Sequence, residues 1–145
     1  MTNEFKNKAI LVTGGAGFVG GNLVRHLLGQ EARRIHVVDN LLSSERENVP
    51  EDARVRFTQG SISSDSVLAE IQDEYDYIFH LSTYHGNQSS MHDPLADHEN
   101  NLLTTLKLLE RIKNFKHLKK LVYSGAGCAV AEKTFDNVHA TLEDA

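Results

Sequence analysis

Three glycines and one aspartate have the types and the spacing needed to hold a dinucleotide. Gly14, Gly17 and Gly20 follow an apolar run, and Asp39 closes a second apolar run nineteen residues after the last of them. A turn through Gly14 and Gly17 lets the main chain approach a pyrophosphate, and Gly20 lets the next helix pack closely on a sheet. The pyrophosphate then lies at the N-terminus of that helix. The pattern predicts a dinucleotide-binding loop, and a merely glycine-rich turn is the alternative.

The carboxylate at the end of the second apolar run favours NAD over NADP. Asp39 follows Val37 and Val38, where its oxygens would accept hydrogen bonds from the adenosine ribose and repel a 2′-phosphate. Asn40 and Ser43 come just after it and are further candidates for binding the same ribose or the adenine. A solvated loop acid is the other interpretation of Asp39.

Five short apolar runs predict the sheet that positions these residues. They lie at 9–12, 35–38, 55–57, 77–81 and 118–123, and helical stretches separate most of them. This alternation is typical of the α/β class with a doubly wound parallel sheet, the Rossmann arrangement. If the first three strands stack in the order 3-2-1 and the fourth lies on the other side of the first, loops 14–20 and 82–90 frame the ligand crevice.

Helical spacing places three helices between these strands. The first begins at Phe18 and ends near Gly29, and the second covers 64–72. The third begins with Asp93 as its N-cap and Pro94 at its first position, and it runs to about Lys113. Leucines repeat along one face of it, which we interpret mainly as core, with an oligomer contact as the alternative: Leu95, Leu102, Leu103, Leu106 and Leu109.

Composition narrows the class of partner to a small molecule. The 145 residues suit one domain, and 15 basic against 20 acidic residues give a net charge of −5 without a basic run, which argues against nucleic acid and anionic membranes. A lone cysteine, no membrane-length apolar run and no signal-peptide pattern predict a cytoplasmic protein. We expect no metal, because the histidines that cluster in sequence fall on a strand, a loop and a helix: His80, His85, His92 and His98.

Four segments together resemble the extended short-chain dehydrogenase/reductases, and more narrowly the NAD-dependent sugar-nucleotide epimerase/dehydratase family. They are 13–20, 38–40, 80–83 and 101–105, with the sequences TGGAGFVG, VDN, HLST and NLLTT. The resemblance runs in register from about Lys8 to Ala131 and covers the cofactor half of that family's enzymes. It implies that NAD oxidises a sugar hydroxyl to a ketone while the protein orients the reactants.

The resemblance also implies roles for individual residues. Phe18 and Val19 would supply helix N-terminal amides beside the three glycines, and Asp39 would hold the adenosine ribose. Ser61, where the family usually has Asp, and Ile62 would flank the adenine. The residues expected toward the nicotinamide are Ser82, Thr83 and His85, the last replacing a Lys of the 4-epimerases, and the same cofactor-binding set includes Leu81 and Asn101.

The expected catalytic hydroxyl follows the fifth strand. In register with the 4-epimerases, Ala126 takes the place of the family's Ser or Thr, so Ser124, two residues earlier, is our candidate. Cys128 lies where a related 3,5-epimerase has an acid/base cysteine, although a buried, inert thiol is the alternative. Because Gly127 and Cys128 replace the acidic pair of the 4,6-dehydratases, dehydration is disfavoured.

The family's Tyr-x-x-x-Lys pair is absent from these 145 residues, since none of the four tyrosines has Lys four places later. In the family that pair falls at a distance corresponding to positions just past Ala145. We therefore expect residues 1–145 to be the NAD-binding, N-terminal part of a longer enzyme.

The predicted activity is NAD-dependent epimerisation of a nucleotide sugar through a transient keto intermediate, in the synthesis of surface polysaccharide or lipopolysaccharide precursors. An NAD-dependent nucleotide-sugar reductase or decarboxylase is the alternative within the enzymes. A non-catalytic NAD-binding module is the alternative outside them, if the chain ends at Ala145. The resemblance further implies a homodimer of the full-length enzyme, with the helix from Pro94 to Lys113 at its interface.

Overall fold

Strands and helices alternate along the chain, as the apolar runs predict. A computed structural model describes residues 3–84 and 87–125. Its strands are β1 (Ala9–Thr13), β2 (Arg34–Asp39), β3 (Val55–Gln59), β4 (Tyr77–His80) and β5 (Lys120–Tyr123). The helices are α1 (Phe18–Gly29), α2 (Asp65–Glu70), α3 (Asn87–His92), α4 (Pro94–Asp97) and α5 (Thr104–Ile112), with a 3-10 turn at Arg46–Asn48 and a π-helical segment at His98–Leu103.

The five strands form one parallel sheet in the order β3-β2-β1-β4-β5. The doubly wound arrangement and the predicted strand order are therefore confirmed. Strand β1 lies in the centre, where Ile10 is in register with Ile35 of β2 on one side and with Tyr77 of β4 on the other. The carboxyl ends of β1, β2 and β4 consequently lie side by side at one edge, at the point where the strand order reverses.

Helices cover both faces of the sheet, so every residue of β1 is buried. On one face Val24 and Leu27 of α1 pack against Ile10 and Ile35. On the other face α2 and α5 pack against β1, β2 and β4 through a second cluster, which contains Leu11, Val38, Val67, Ile78, Leu108 and Ile112. The two layers hold the carboxyl ends of the strands in fixed positions.

The leucine stripe of the third predicted helix is not core, and that interpretation was wrong. Four of its five leucines are exposed, by 77% at Leu95, 50% at Leu102, 52% at Leu106 and 41% at Leu109, and Leu103 is half-buried. The buried face of α5 consists of Thr104, Leu108 and Ile112. Leucines lie on two faces of this helix, so their spacing alone does not define the inner one. The π-helical segment, with its wider turn, also shifts the angular phase between α4 and α5.

Candidate functional site

One cavity opens at the carboxyl edge of the sheet, where β1 lies between β2 and β4. The loops that follow β1, β2, β3 and β4 all contribute to its wall, together with Asn100 of the π-helical segment and Thr104 of α5. Its lining residues are Gly14, Gly17, Asp39, Asn40, Leu42, Ser43, Ser44, Gly60, Ser61, Ile62, Leu81, Ser82, Thr83, Tyr84, Asn100 and Thr104. Residues of both loops that the sequence predicted to frame a crevice, Gly14 and Gly17 of the first and 82–84 of the second, thus line the same cavity.

The glycine loop depends on close approach of main chain to main chain. Gly14 has φ +72°, a conformation that favours glycine, and its N–H donates to Val38 O at 2.8 Å. A Cβ on Gly14 would lie 2.7 Å from Ser82 N, and one on Gly20 would overlap Gly14 O. The loop after β1 therefore touches the loop after β4 on one side and the first turn of α1 on the other.

The first turn of α1 presents unpaired amides at this edge. Gly21 N–H donates to Gly17 O at 2.8 Å, so the helix geometry leaves the preceding amides of Phe18, Val19 and Gly20 without acceptors inside the helix. The side chains of Phe18 and Val19 are exposed. These amides and the positive end of the helix dipole can bind an anion such as a pyrophosphate.

Asp39 ties the glycine loop to the loop after β2. The residue is 8% exposed, and its Oδ2 accepts from Ala16 N–H at 2.9 Å. Oδ1 accepts from Leu41 N–H at 2.9 Å and from the Ser44 hydroxyl at 3.0 Å. The sequence did not single out Ser44, because a hydroxyl five residues past an acid in a loop carries no spacing signal.

Predicted adenine and ribose contacts lie on the β2 and β3 side of the cavity. Asn40 and Ser43 are exposed lining residues, and Asn40 Oδ1 accepts from Leu42 N–H at 3.1 Å. Ile62 is a buried lining residue, and the Ser61 hydroxyl pairs with that of Ser63 at 2.8 Å. This side therefore combines an apolar floor with hydroxyl and amide groups.

Leu81, Ser82 and Thr83 line the opposite side of the cavity. Asn101 lies behind them, because its Oδ1 accepts from the Thr83 hydroxyl at 3.2 Å and from Tyr84 N–H at 2.6 Å. Its neighbour in the helix, Asn100, and Thr104 reach the lining instead. Neither is among the predicted site residues, although their separation by four residues on a predicted helix was an available signal.

His80 lies under the floor of the site between two threonines. Its Nδ1 lies 2.6 Å from Thr13 Oγ1, and its Nε2 lies 3.0 Å from Thr105 Oγ1. The Thr105 hydroxyl donates to Asn101 O at 2.7 Å, so it accepts from Nε2–H, and Thr13 donates to Nδ1. Burial lowers the pKa of His80 to about 4. A neutral imidazole thus links β1, β4 and α5 beneath the cavity.

Among the predicted catalytic residues, only Ser124 lies in the described part of the chain. It is exposed just after β5, outside the cavity lining, and its N–H donates to His80 O at 3.4 Å. Ala126 and Cys128 lie outside the described residues, as does His85 of the cofactor set. Over 3–84 and 87–125, no three His, Cys, Asp or Glu side chains are grouped to hold a metal ion, and no helix has the length and apolarity to span a membrane.

Comparison with known proteins agrees with this arrangement. Residues 10–144 match the NAD dependent epimerase/dehydratase family. UDP-glucose 4-epimerase of Lacticaseibacillus casei is 35% identical over 125 residues, which are 85% of this chain and 37% of that protein. The chain therefore spans less than two fifths of the length of this relative.

Solved structures with the same fold also share substantial sequence. The Bordetella bronchiseptica enzyme WbmF, solved in complex with NAD+ and UDP, is 63% identical with a TM-score of 0.85, over 88% of this chain and 38% of that one. UDP-glucose 4-epimerase of Thermotoga maritima, solved with UDP-glucose, is 33% identical with a TM-score of 0.74, over 82% and 38% of the two chains. The fold, the glycine loop with its aspartate and these matches together show that the chain belongs to the NAD-dependent epimerase/dehydratase family.

Proposed function

We propose that the cavity binds NAD and that the protein containing this chain epimerises a nucleotide sugar. The observation that carries the proposal is the hydrogen bond from Ala16 N–H to Asp39 Oδ2. It joins the glycine loop to the acid at the end of β2, at the edge of the sheet where the strand order reverses and where ligands of such folds bind.

We assign the parts of NAD to residues that lie in sequence along the cavity and at the first turn of α1. Asp39 would accept from the adenosine ribose, and Ser61 and Ile62 would flank the adenine. The amides of Phe18 and Val19 would meet the pyrophosphate. The contact between Gly14 and Ser82, which leaves no room for a Cβ, closes the cradle beneath it, and the residues toward the nicotinamide are Leu81, Ser82 and Thr83.

When bound, NAD supplies hydride transfer, and the residues of this chain supply binding and orientation. In the proposed reaction a sugar hydroxyl is oxidised to a transient ketone, and the hydride returns to the other face. The hydroxyl of Ser124, beside β4 at the carboxyl end of β5, is the proposed partner of the reacting sugar oxygen. The Tyr and Lys that move its proton are proposed to lie beyond Ala145, so that residues 1–145 form the N-terminal, NAD-binding part of a longer enzyme.

The substrate class and the setting are part of the proposal. The complexes of WbmF with UDP and of the T. maritima enzyme with UDP-glucose support a nucleotide sugar as the substrate. We assign the reaction to a cytoplasmic supply of precursors for surface polysaccharide or lipopolysaccharide. The exposed leucines of α4 and α5 support a homodimer.

The test is to incubate the complete natural protein with NAD and either UDP-glucose or UDP-N-acetylglucosamine, and to follow the sugar C4 configuration by NMR. Epimerisation appears as a second set of sugar resonances that reaches equilibrium with the first. Loss of carbon dioxide or net reduction of the sugar would instead identify a decarboxylase or reductase. Tight NAD binding without any change in a wider panel of nucleotide sugars would favour the non-catalytic module.

A further inference from the structure

We propose that Asn48 is a positioning residue for the phosphate-binding loop and that it sets NAD affinity from outside the cavity. The inference rests on the proposed NAD site. Asn48 ends the 3-10 turn after β2 and is not among the residues that line the cavity. Its Nδ2 donates to Ala16 O at 2.9 Å, across 32 residues of sequence.

This hydrogen bond fixes one peptide plane of the glycine loop. The peptide between Ala16 and Gly17 has its carbonyl held by Asn48 and its N–H donated to Gly14 O at 3.2 Å. In a trans peptide these two groups point in opposite directions. A flip of the plane would turn the Ala16 oxygen toward the Gly14 oxygen, and it would do so at Gly17, the N-cap of α1 and the residue that sets the direction of the next amides.

Among the described contacts, one other side chain bonds to the main chain of Ala16, and it belongs to the proposed cofactor site. Ala16 N–H donates to Oδ2 of Asp39, the proposed ribose ligand. The Ala16 carbonyl accepts from Asn48, so both main-chain groups of Ala16 are hydrogen-bonded to side chains. When ribose competes for the Asp39 carboxylate, the Asn48 bond remains as the restraint on the loop.

Two further contacts hold Asn48 itself in place on α1. The Arg25 guanidinium donates from Nη2 to Asn48 O at 3.0 Å. A Cβ on Gly21 would lie 3.2 Å from the same oxygen, which gives this second glycine of the pair at 20–21 a packing role that the dinucleotide motif does not explain. The turn is thus seated against the helix whose N-terminus it orients.

Calorimetric titration of NAD into the complete natural protein tests the proposal. We expect Asn48→Ala to weaken NAD binding about threefold to tenfold, as the loss of one hydrogen bond implies. Asn48→Asp should weaken it further, because a carboxylate would face the Ala16 carbonyl. Arg25→Leu, which leaves the Asn48 side chain intact, should give a smaller loss. Since Asn48 is exposed, these variants should retain the fold.

The matched control is Arg111→Leu, which removes a guanidinium bond to a main-chain oxygen away from the cavity, from Nε to Ile71 O at 2.8 Å. It should leave NAD affinity unchanged. Hydrogen exchange in the absence of NAD adds a second readout, since Asn48→Ala should speed exchange in peptides covering 14–20. Absence of NAD binding by the unmodified protein would overturn the proposed function. Unchanged affinity in Asn48→Ala, or an equal loss in Arg111→Leu, would overturn this inference alone.

Discussion

Asp39 has two roles: it is the proposed ligand of the adenosine ribose, and it anchors the glycine loop. Its position at the end of β2 suits a ribose hydroxyl, while its oxygens already accept hydrogen bonds from Ala16 N–H, Leu41 N–H and the Ser44 hydroxyl. Charge-assisted bonds of this kind are stronger than neutral ones. Replacing Asp39 therefore removes a proposed ligand and loosens the glycine loop at the same time.

We predict that Asp39→Ala weakens NAD binding by about 1 to 3 kcal/mol, because charged hydrogen bonds are lost. Titration calorimetry on the complete protein measures this change. Asp65→Ala is the control, since Asp65 is an exposed carboxylate paired with Lys107. Equal heats and affinities for Asp39→Ala and the unmodified protein would remove Asp39 from the cofactor site.

Two buried histidines predict how stability depends on pH. His36 lies between Tyr75 OH at 2.7 Å and Thr58 Oγ1 at 2.9 Å, and His80 lies between Thr13 and Thr105. Burial lowers the pKa of both to about 4 from 6.5. Below pH 6.5 the unfolded chain binds protons that the folded protein excludes, so the free energy of unfolding falls as the pH drops from 6.5 to 4.

Urea unfolding measured at several pH values checks this expectation. The double variant His36→Gln/His80→Gln should lower stability at neutral pH and flatten its decline between pH 6.5 and 4. The exposed His26→Gln is the control and should keep the slope. A slope that is the same in the double variant and the unmodified protein would show that other groups cause the acid sensitivity.

Among the elements, the helical stretch from α4 through the π-helical segment to α5 departs most from its sequence pattern. Its π-helical segment places Asn101 behind the loop after β4, where its side-chain amide accepts from Thr83 and Tyr84 and donates to Asp97 Oδ1 at 2.7 Å. The helix therefore supports one wall of the cavity through a side chain that does not line it.

Asn101→Ala should make the loop after β4 more mobile, because it removes the hydrogen bonds to Thr83 and Tyr84. We expect faster hydrogen exchange in peptides covering 81–84 and a weaker loss of NAD affinity than in Asp39→Ala, since no proposed ligand is removed. Asn114→Ala, at an exposed position just after α5, is the control and should show neither effect. Unaltered exchange at 81–84 would mean that the loop holds its conformation without Asn101.

The outer face of the same helix carries the exposed stripe of Leu95, Leu102, Leu106 and Leu109. If this stripe is the proposed dimer contact, Leu106→Glu should shift the complete protein to monomer, because a charge would be buried in an apolar interface. Sedimentation velocity measures the shift. His26→Glu, on the exposed face of α1, should leave the association unchanged; a Leu106→Glu protein that stays dimeric would place the interface elsewhere.

At the scale of the whole molecule, the sequence contained the topology but not the inner face of every element. Continuous apolar runs such as Ile10 to Val12 occur where both faces of a strand are covered, so the strands and their order were predictable. The face of α5 that packs against the sheet was not predictable, because leucines occupy two of its faces. The contacts of Ser44 and Asn48 depend on how the loop after β2 folds back on α1, which no local spacing encodes.

The residues that line the cavity come from several segments of the described chain. Residues between Gly14 and Thr104 line the cavity at the reversal of the strand order, where we propose that NAD binds. Ser124, just after β5, is exposed and lies outside the cavity lining. The chain matches less than two fifths of each compared relative, which supports the proposal that it is the NAD-binding part of a longer enzyme.

The most direct test is a crystal structure of the complete natural protein grown with NAD. We predict density for the adenosine ribose on the Asp39 carboxylate, the adenine beside Ile62, the pyrophosphate at the amides of Phe18 and Val19, and the nicotinamide toward Ser82. NAD bound away from this cavity, or bound in the reverse direction with its nicotinamide beside Ile62, would contradict the account.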